Sequence, residues 1–193
     1  MNLAGDLRYA NDAHTFGGLE ERKIRFSLDG RYGRRLSNLP IVKRVGNTVF
    51  SHGDISAIWA LHNVRELNQK AADSLPEYLN SRDAAFRHNS IFGTKGPLWH
   101  RAYALGKNDE LVCQELQTAL KSLGVGRMVV GHTFQENGRI LKRCNKKFFV
   151  IDVGISGVYG GHKAALEILP DGSTNEIYPE RSKTELTFIE NWF

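Results

Sequence analysis

The sequence is short of the features that mark several protein classes. Its two cysteines, Cys113 and Cys144, stand far apart and form no CxxC pair. They make no case for a disulfide framework or a zinc cluster, and they fit a reducing compartment. The longest purely apolar run, Ala57 to Leu61, is far short of the ~20 residues a membrane-spanning helix needs. Met1 to Asp6 lack the basic, apolar and small-residue regions of a signal peptide, so a cytoplasmic location is expected. No internal repeat, low-complexity tract or linker divides the chain. What is present is ordinary: 193 residues, 41% apolar, 24% charged and 10% aromatic. That balance excludes disordered tails and fibrous rods and is enough for one globular domain over residues 1–193.

The formal charge is +5, with basic clusters at Arg31, Arg34 and Arg35 and at Lys142, Arg143, Lys146 and Lys147. Aromatics are not interleaved with these residues and no nucleic-acid module is present, so no nucleic-acid partner is expected. The simplest reading is a solvated face. A net positive field also favours an anionic substrate.

Residues 1–40 read as helices and loops, and residues 41–193 as mixed α/β with a strand-rich end. Val45-Gly46-Asn47-Thr48 reads as a two-residue hairpin turn, and Asp171-Gly172 as another turn. The apolar spacing of Ile55 to Leu67 predicts an amphipathic helix, and Pro76 to Phe86 another with proline in its first turn. Asn108 and Gly124 bracket a predicted helix over Asp109 to Leu123.

Two histidines have similar settings. Thr48-Val49-Phe50-Ser51 runs into His52-Gly53-Asp54, and Arg127-Met128-Val129-Val130 runs into Gly131-His132-Thr133. Each imidazole stands at the end of a β-prone run beside a glycine, where backbone can approach a ligand closely. Singly, each is a satisfied structural residue. As a pair they suggest a metal site, since neutral imidazole is a common ligand. Phe148 to Ile151 leads in the same way to Asp152. That acid is either a turn residue for the Gly154 to Gly157 loop or a group that orients a metal-bound histidine.

These motifs, in this order, resemble the last motifs of the calcineurin-like metallophosphatases, of the serine/threonine phosphatase superfamily. Met1-Asn2-Leu3, Gly5-Asp6-Leu7-Arg8-Tyr9, Gly96-Pro97-Leu98-Trp99-His100-Arg101 and Tyr159-Gly160-Gly161 look more narrowly like the Shewanella-like phosphatase branch. The resemblance implies two divalent metal ions (Mn, Fe or Zn) that activate water for attack on a phosphoprotein or small phosphoester. It implies His52 and His132 as metal ligands, Asp152 beside them, and Arg101 and Tyr159 as substrate-binding residues. The implied fold is α/β, a four-layer αββα sandwich of mixed β-sheets flanked by helices.

The sequence also departs from that family. Its Gly-Asp-x-His, Gly-Asp-x-x-Asp-Arg and Gly-Asn-His-Glu motifs are absent. The resemblance therefore implies an incomplete, C-terminal portion of the domain, truncated in front of Met1, with at most a partial metal site and no certain catalytic residue. Such a chain is expected to be inactive alone and to self-associate through open sheet edges. Asp54 replaces a small residue, and can cap a helix from Ile55, add a ligand or obstruct phosphate. A non-catalytic pseudophosphatase or interaction module is the alternative, exposing Trp99, Tyr103 and Phe134 as an apolar surface. Ser156 lacks the G-x-S-x-G spacing of a serine hydrolase, and His62 with Glu66 reads as a surface helix pair.

Overall fold

A mixed five-stranded sheet organises the molecule, which is a computed structural model describing residues 13–179. The motifs within Met1 to Tyr9 lie outside the described residues. The strands are β1 (Val42–Val45), β2 (Thr48–Ser51), β3 (Arg127–Val130), β4 (Leu141–Arg143) and β5 (Phe148–Val150), in the spatial order β1-β2-β3-β5-β4. β2, β3 and β5 run parallel, and antiparallel β1 and β4 flank them.

The parallel strands are buried on both faces, as short continuous apolar runs require. Val49, Met128, Val130, Phe148 and Val150 face one core, packed by helices α3 (Val64–Asn80) and α6 (Asp109–Leu123) through Leu67, Ala71, Val112, Leu116 and Leu120. Val129 and Phe149 face the other way, onto Ile140, Val153 and the apolar side of strand β6 (Ala165–Ile168). β6 pairs with β7 (Thr174–Ile177) as a separate hairpin across the Asp171-Gly172 turn. Lys142 on β4 holds Glu176 on β7 at 2.7 Å, tying the hairpin to the sheet.

Several predicted elements form with their expected signals. Asn108 Oδ1 accepts the Leu111 N–H, and Gly124 closes α6 in the left-handed region at φ 65°. Helices α1 (Leu19–Phe26) and α2 (Arg31–Ser37) occupy the N-terminal part of the described chain. There Phe16, Phe26 and Tyr32 cluster, and the buried Arg22 guanidinium lies over the two phenylalanine rings.

Other expectations are corrected. Ile55 to Leu67 is not one helix. Ile55 is buried in a loop, Trp59–Leu61 makes one 3-10 turn, and α3 begins only at Val64. A capping box sets that start: Asn63 accepts the Glu66 N–H, and Glu66 accepts the Asn63 N–H. Pro76 sits inside α3 rather than in the first turn of a new helix, and the break falls at Ser81, before α4 (Ala84–Asn89), which Asp83 caps. The cysteines are not free: Cys113 on α6 is bonded to Cys144 in the β4–β5 turn, with 5.3 Å between Cα atoms. A bonded pair removes the cysteine argument for a reducing compartment. Tyr103, expected at the surface, is fully buried, while Trp99 is exposed and Phe134 half-buried. No helix among the described residues is long and apolar enough to cross a membrane.

Candidate functional site

Strand register brings the two histidines together. Ser51 pairs with Val130 and Val130 with Val150, so β2, β3 and β5 end at one level. His52, Gly131-His132 and Ile151-Asp152 follow directly, at the carboxyl ends of parallel strands where α/β sheets collect ligands. The Gly131 N–H donates to the His52 carbonyl at 2.9 Å, stitching the two loops. The His52 and His132 ring centroids lie 4.7 Å apart at 53°. Trp99 meets His132 edge-on at 4.8 Å.

His132 pays a conformational cost to be there. Its φ of 61° is left-handed, unusual for a residue with a Cβ. Among the described residues its buried Nε2 has no hydrogen-bond partner, an uncommon state that suits a ligating nitrogen.

Charge and burial set the protonation. Burial, then the Arg101 guanidinium and then His52 push His132 down to about 4, against the pull of Asp152. Burial also lowers His52, opposed by Asp152 and assisted by Arg101. The pair is therefore neutral near pH 7, the form that ligates metals. Arg101 is exposed and, among the described residues, makes no ion pair.

The remaining predicted residues are less closely drawn in. Asp152 Oδ1 accepts the Gly154 N–H at 3.4 Å, a turn contact, and Asp152 reaches the imidazoles through its charge. Tyr159 is 57% exposed in a 3-10 turn, and its ring meets Phe134 at 5.3 Å. Among the described residues no group of three His, Cys, Asp or Glu side chains is placed to hold a metal ion. The imidazoles supply two nitrogen donors, which fit one side of such a centre and do not complete it. Beside His52 lies an apolar groove of about 490 Å³ lined by Leu36, Leu39, Ile41, Phe50, Leu98 and Ile151.

Local sequence reasoning misplaced Asp54. Its carboxylate neither caps a helix at Ile55 nor reaches the imidazoles: it is 1% exposed and Oδ2 accepts the Tyr103 N–H at 2.6 Å. Burial raises it to about 7 despite the backbone hydrogen bonds from Tyr103 and Ala104. His62 and Glu66 do pair at the surface, 3.8 Å apart.

Known proteins match this chain at the level of sequence and of fold. No family model matches the sequence. An uncharacterized protein of Schizosaccharomyces pombe is 30% identical over 183 residues, covering 87% of this chain and 52% of that protein. Shewanella-like protein phosphatase 2 of Arabidopsis thaliana is 30% identical over 176 residues, 87% of this chain and 44% of that protein. Shewanella-like protein phosphatase 1 of Plasmodium berghei is 30% identical over 143 residues, 66% of this chain and 35% of that protein. The fold is shared with the cold-active protein-tyrosine phosphatase of a psychrophile Shewanella species, at TM-score 0.66 and 24% identity over 91% of this chain and 55% of that one. The chain spans about half, or less, of the length of the relatives it matches. By sequence, then, this chain is related to the Shewanella-like phosphatases over a part of their length.

Proposed function

We propose that this chain is the C-terminal portion of a calcineurin-like metallophosphatase and carries part of a phosphoester-hydrolysing site. The observation that carries the proposal is the facing pair of imidazoles, His52 and His132, 4.7 Å apart at the ends of adjacent parallel strands. Both are held neutral, and among the described residues the buried Nε2 of His132 has no hydrogen-bond partner. In the proposed complete protein, whose architecture would be the four-layer αββα sandwich, these nitrogens would help hold one of two divalent ions (Mn, Fe or Zn). When bound, such ions supply an activated water and neutralise charge on phosphate.

The chain's own residues have narrower tasks. Arg101 offers an exposed guanidinium, the donor fork that suits phosphate oxygens, and its charge is felt by both imidazoles. Asp152 opposes that charge and turns the chain at the end of β5. Tyr159 is proposed as a hydroxyl donor to a substrate bound near Phe134. The substrate class is a phosphorylated protein or small phosphoester.

Two donors do not make a catalytic centre, so the chain alone is expected to be inactive. With p-nitrophenyl phosphate and manganese it should give no turnover above the metal-only background. Robust turnover abolished by His52→Ala would overturn the inactivity and leave the phosphatase reading intact. The alternative, a pseudophosphatase or interaction module, is favoured by the absence of a third metal-binding side chain among the described residues. It predicts that His52→Ala and His132→Ala leave manganese binding unchanged.

A further inference from the structure

We infer that Asp54 is a positioning residue that fixes Arg101 beside the imidazole pair, an inference that rests on the phosphate-binding reading of Arg101. Two loops meet at the strand ends: His52-Gly53-Asp54, and the segment from Pro97 to Tyr103. Three contacts zip them together. The Gly53 N–H donates to the Pro97 carbonyl at 2.7 Å, and the Asp54 N–H donates to the His100 carbonyl at 2.9 Å. The Asp54 carboxylate accepts the Tyr103 N–H at 2.6 Å. Asp54 therefore grips the chain at His100 and at Tyr103, and Arg101 lies between the two grips.

Nothing else described performs this task on that side. Arg101 starts a single helical turn, α5 (Ala102–Leu105), with φ −137° and no side-chain cap of its own. The Arg143 guanidinium holds the other end, donating to the carbonyls of Tyr103 at 2.5 Å and Gly106 at 2.7 Å. Without the carboxylate, the first turn of α5 loses the one side-chain acceptor it has among the described residues, and the two backbone bonds from Gly53 and Asp54, to Pro97 and His100, both end before Arg101. A carboxylate buried to 1% exposure is costly to keep. Among the described residues its second oxygen, Oδ1, has no hydrogen-bond partner, and the His100 ring nitrogen Nδ1 stays 3.9 Å from Oδ2. The position thus sacrifices stability for a fixed acceptor, a trade found where local geometry serves a site.

The experiment has two readouts on the full chain. Backbone amide 15N relaxation of residues 99–102 is measured without metal or phosphate, and orthophosphate affinity is measured by calorimetry. Asp54→Ala should lower the order of the Arg101 amide and weaken orthophosphate about ten-fold. Asp54→Asn, which keeps an acceptor for the Tyr103 N–H, should restore both. In an Arg101→Ala background Asp54→Ala should cost no further affinity, the signature of coupled residues. An unchanged Arg101 amide in Asp54→Ala, or an equal loss of affinity in the Arg101→Ala background, overturns the inference. If the wild-type chain binds no orthophosphate, the phosphate role of Arg101 falls, and the amide readout alone decides the anchor. Asp54→Leu, which fills the same space without an acceptor, replaces the alanine variant if that variant does not fold.

Discussion

At the scale of single residues, the strand-end loops are built from positions that tolerate little change. Gly53 shows this: a Cβ there would lie 2.9 Å from the His100 carbonyl oxygen and 3.0 Å from the Trp99 nitrogen. Both are backbone atoms, so the loop has to move. Gly53→Ala should cost about 2 kcal/mol of stability, the scale of overpacking a tight site. Urea denaturation checks this: the midpoint should fall with the slope unchanged, and an unchanged midpoint would show that the loops separate freely. The same contact sets the place of Asp54. In sequence an aspartate before an apolar helical pattern is a cap. Its burial depends on the 97–103 loop folding over it, which local spacing does not encode. The histidines were legible because strand, glycine and imidazole are adjacent in sequence, whereas the 4.7 Å separation of their rings depends on the parallel register of β2 and β3.

At the scale of elements, two tethers hold the sheet's outer strand. Cys113 and Cys144 join α6 to the β4–β5 turn across a sequence separation of 31. Closing such a loop is worth about 3–4 kcal/mol by the chain-entropy account. The double variant Cys113→Ser/Cys144→Ser should therefore melt well below the oxidised protein, and equal melting temperatures would contradict a stabilising bond. The second tether is Lys142 to Glu176, with the Tyr178 hydroxyl donating to the other Glu176 oxygen. The Lys142 hydrogen bond, then that of Tyr178, hold the Glu176 carboxyl below its ordinary value against partial burial. A carboxyl depressed in the folded state contributes stability above its unfolded value, and that contribution is lost as pH falls through the folded value. Glu176→Gln should thus lower Tm by only about 1–2 °C at pH 7, since the lysine of the pair is fully in solvent. The difference should vanish in acid below the carboxyl's ordinary range. A difference that persists there would assign the loss to packing.

Elements were legible where local signals agree, as in α6 with its Asn108 cap and Gly124 stop. They were not where a competing cap intervened, as with Asn63 and Glu66 inside the apolar pattern from Ile55. The disulfide was illegible because its cysteines lie on elements brought together only when α6 packs on the sheet.

At the scale of the molecule, β1 and β4 are the outer strands of the five-stranded sheet. β1 carries exposed Lys43 and Arg44, charges that oppose edge-to-edge pairing with another copy. The self-association expected from open edges should therefore strengthen as salt screens that repulsion. Sedimentation velocity at 0.05 and 0.5 M salt, values chosen to span roughly 14 to 4 Å of screening length, checks this. Association that weakens with salt would point to an ionic contact elsewhere.

The central claim is that the strand ends present His52 and His132 as a ligand-bearing pair. Manganese-induced broadening of the histidine imidazole 15N–1H signals tests it most directly, because the chain has seven histidines and each reports its own distance to the ion. Broadening should begin at His52 and His132 at the lowest manganese concentration, and in His132→Ala it should disappear from His52. Broadening that begins at His62 or His88, or spreads evenly over all of them, would contradict the account.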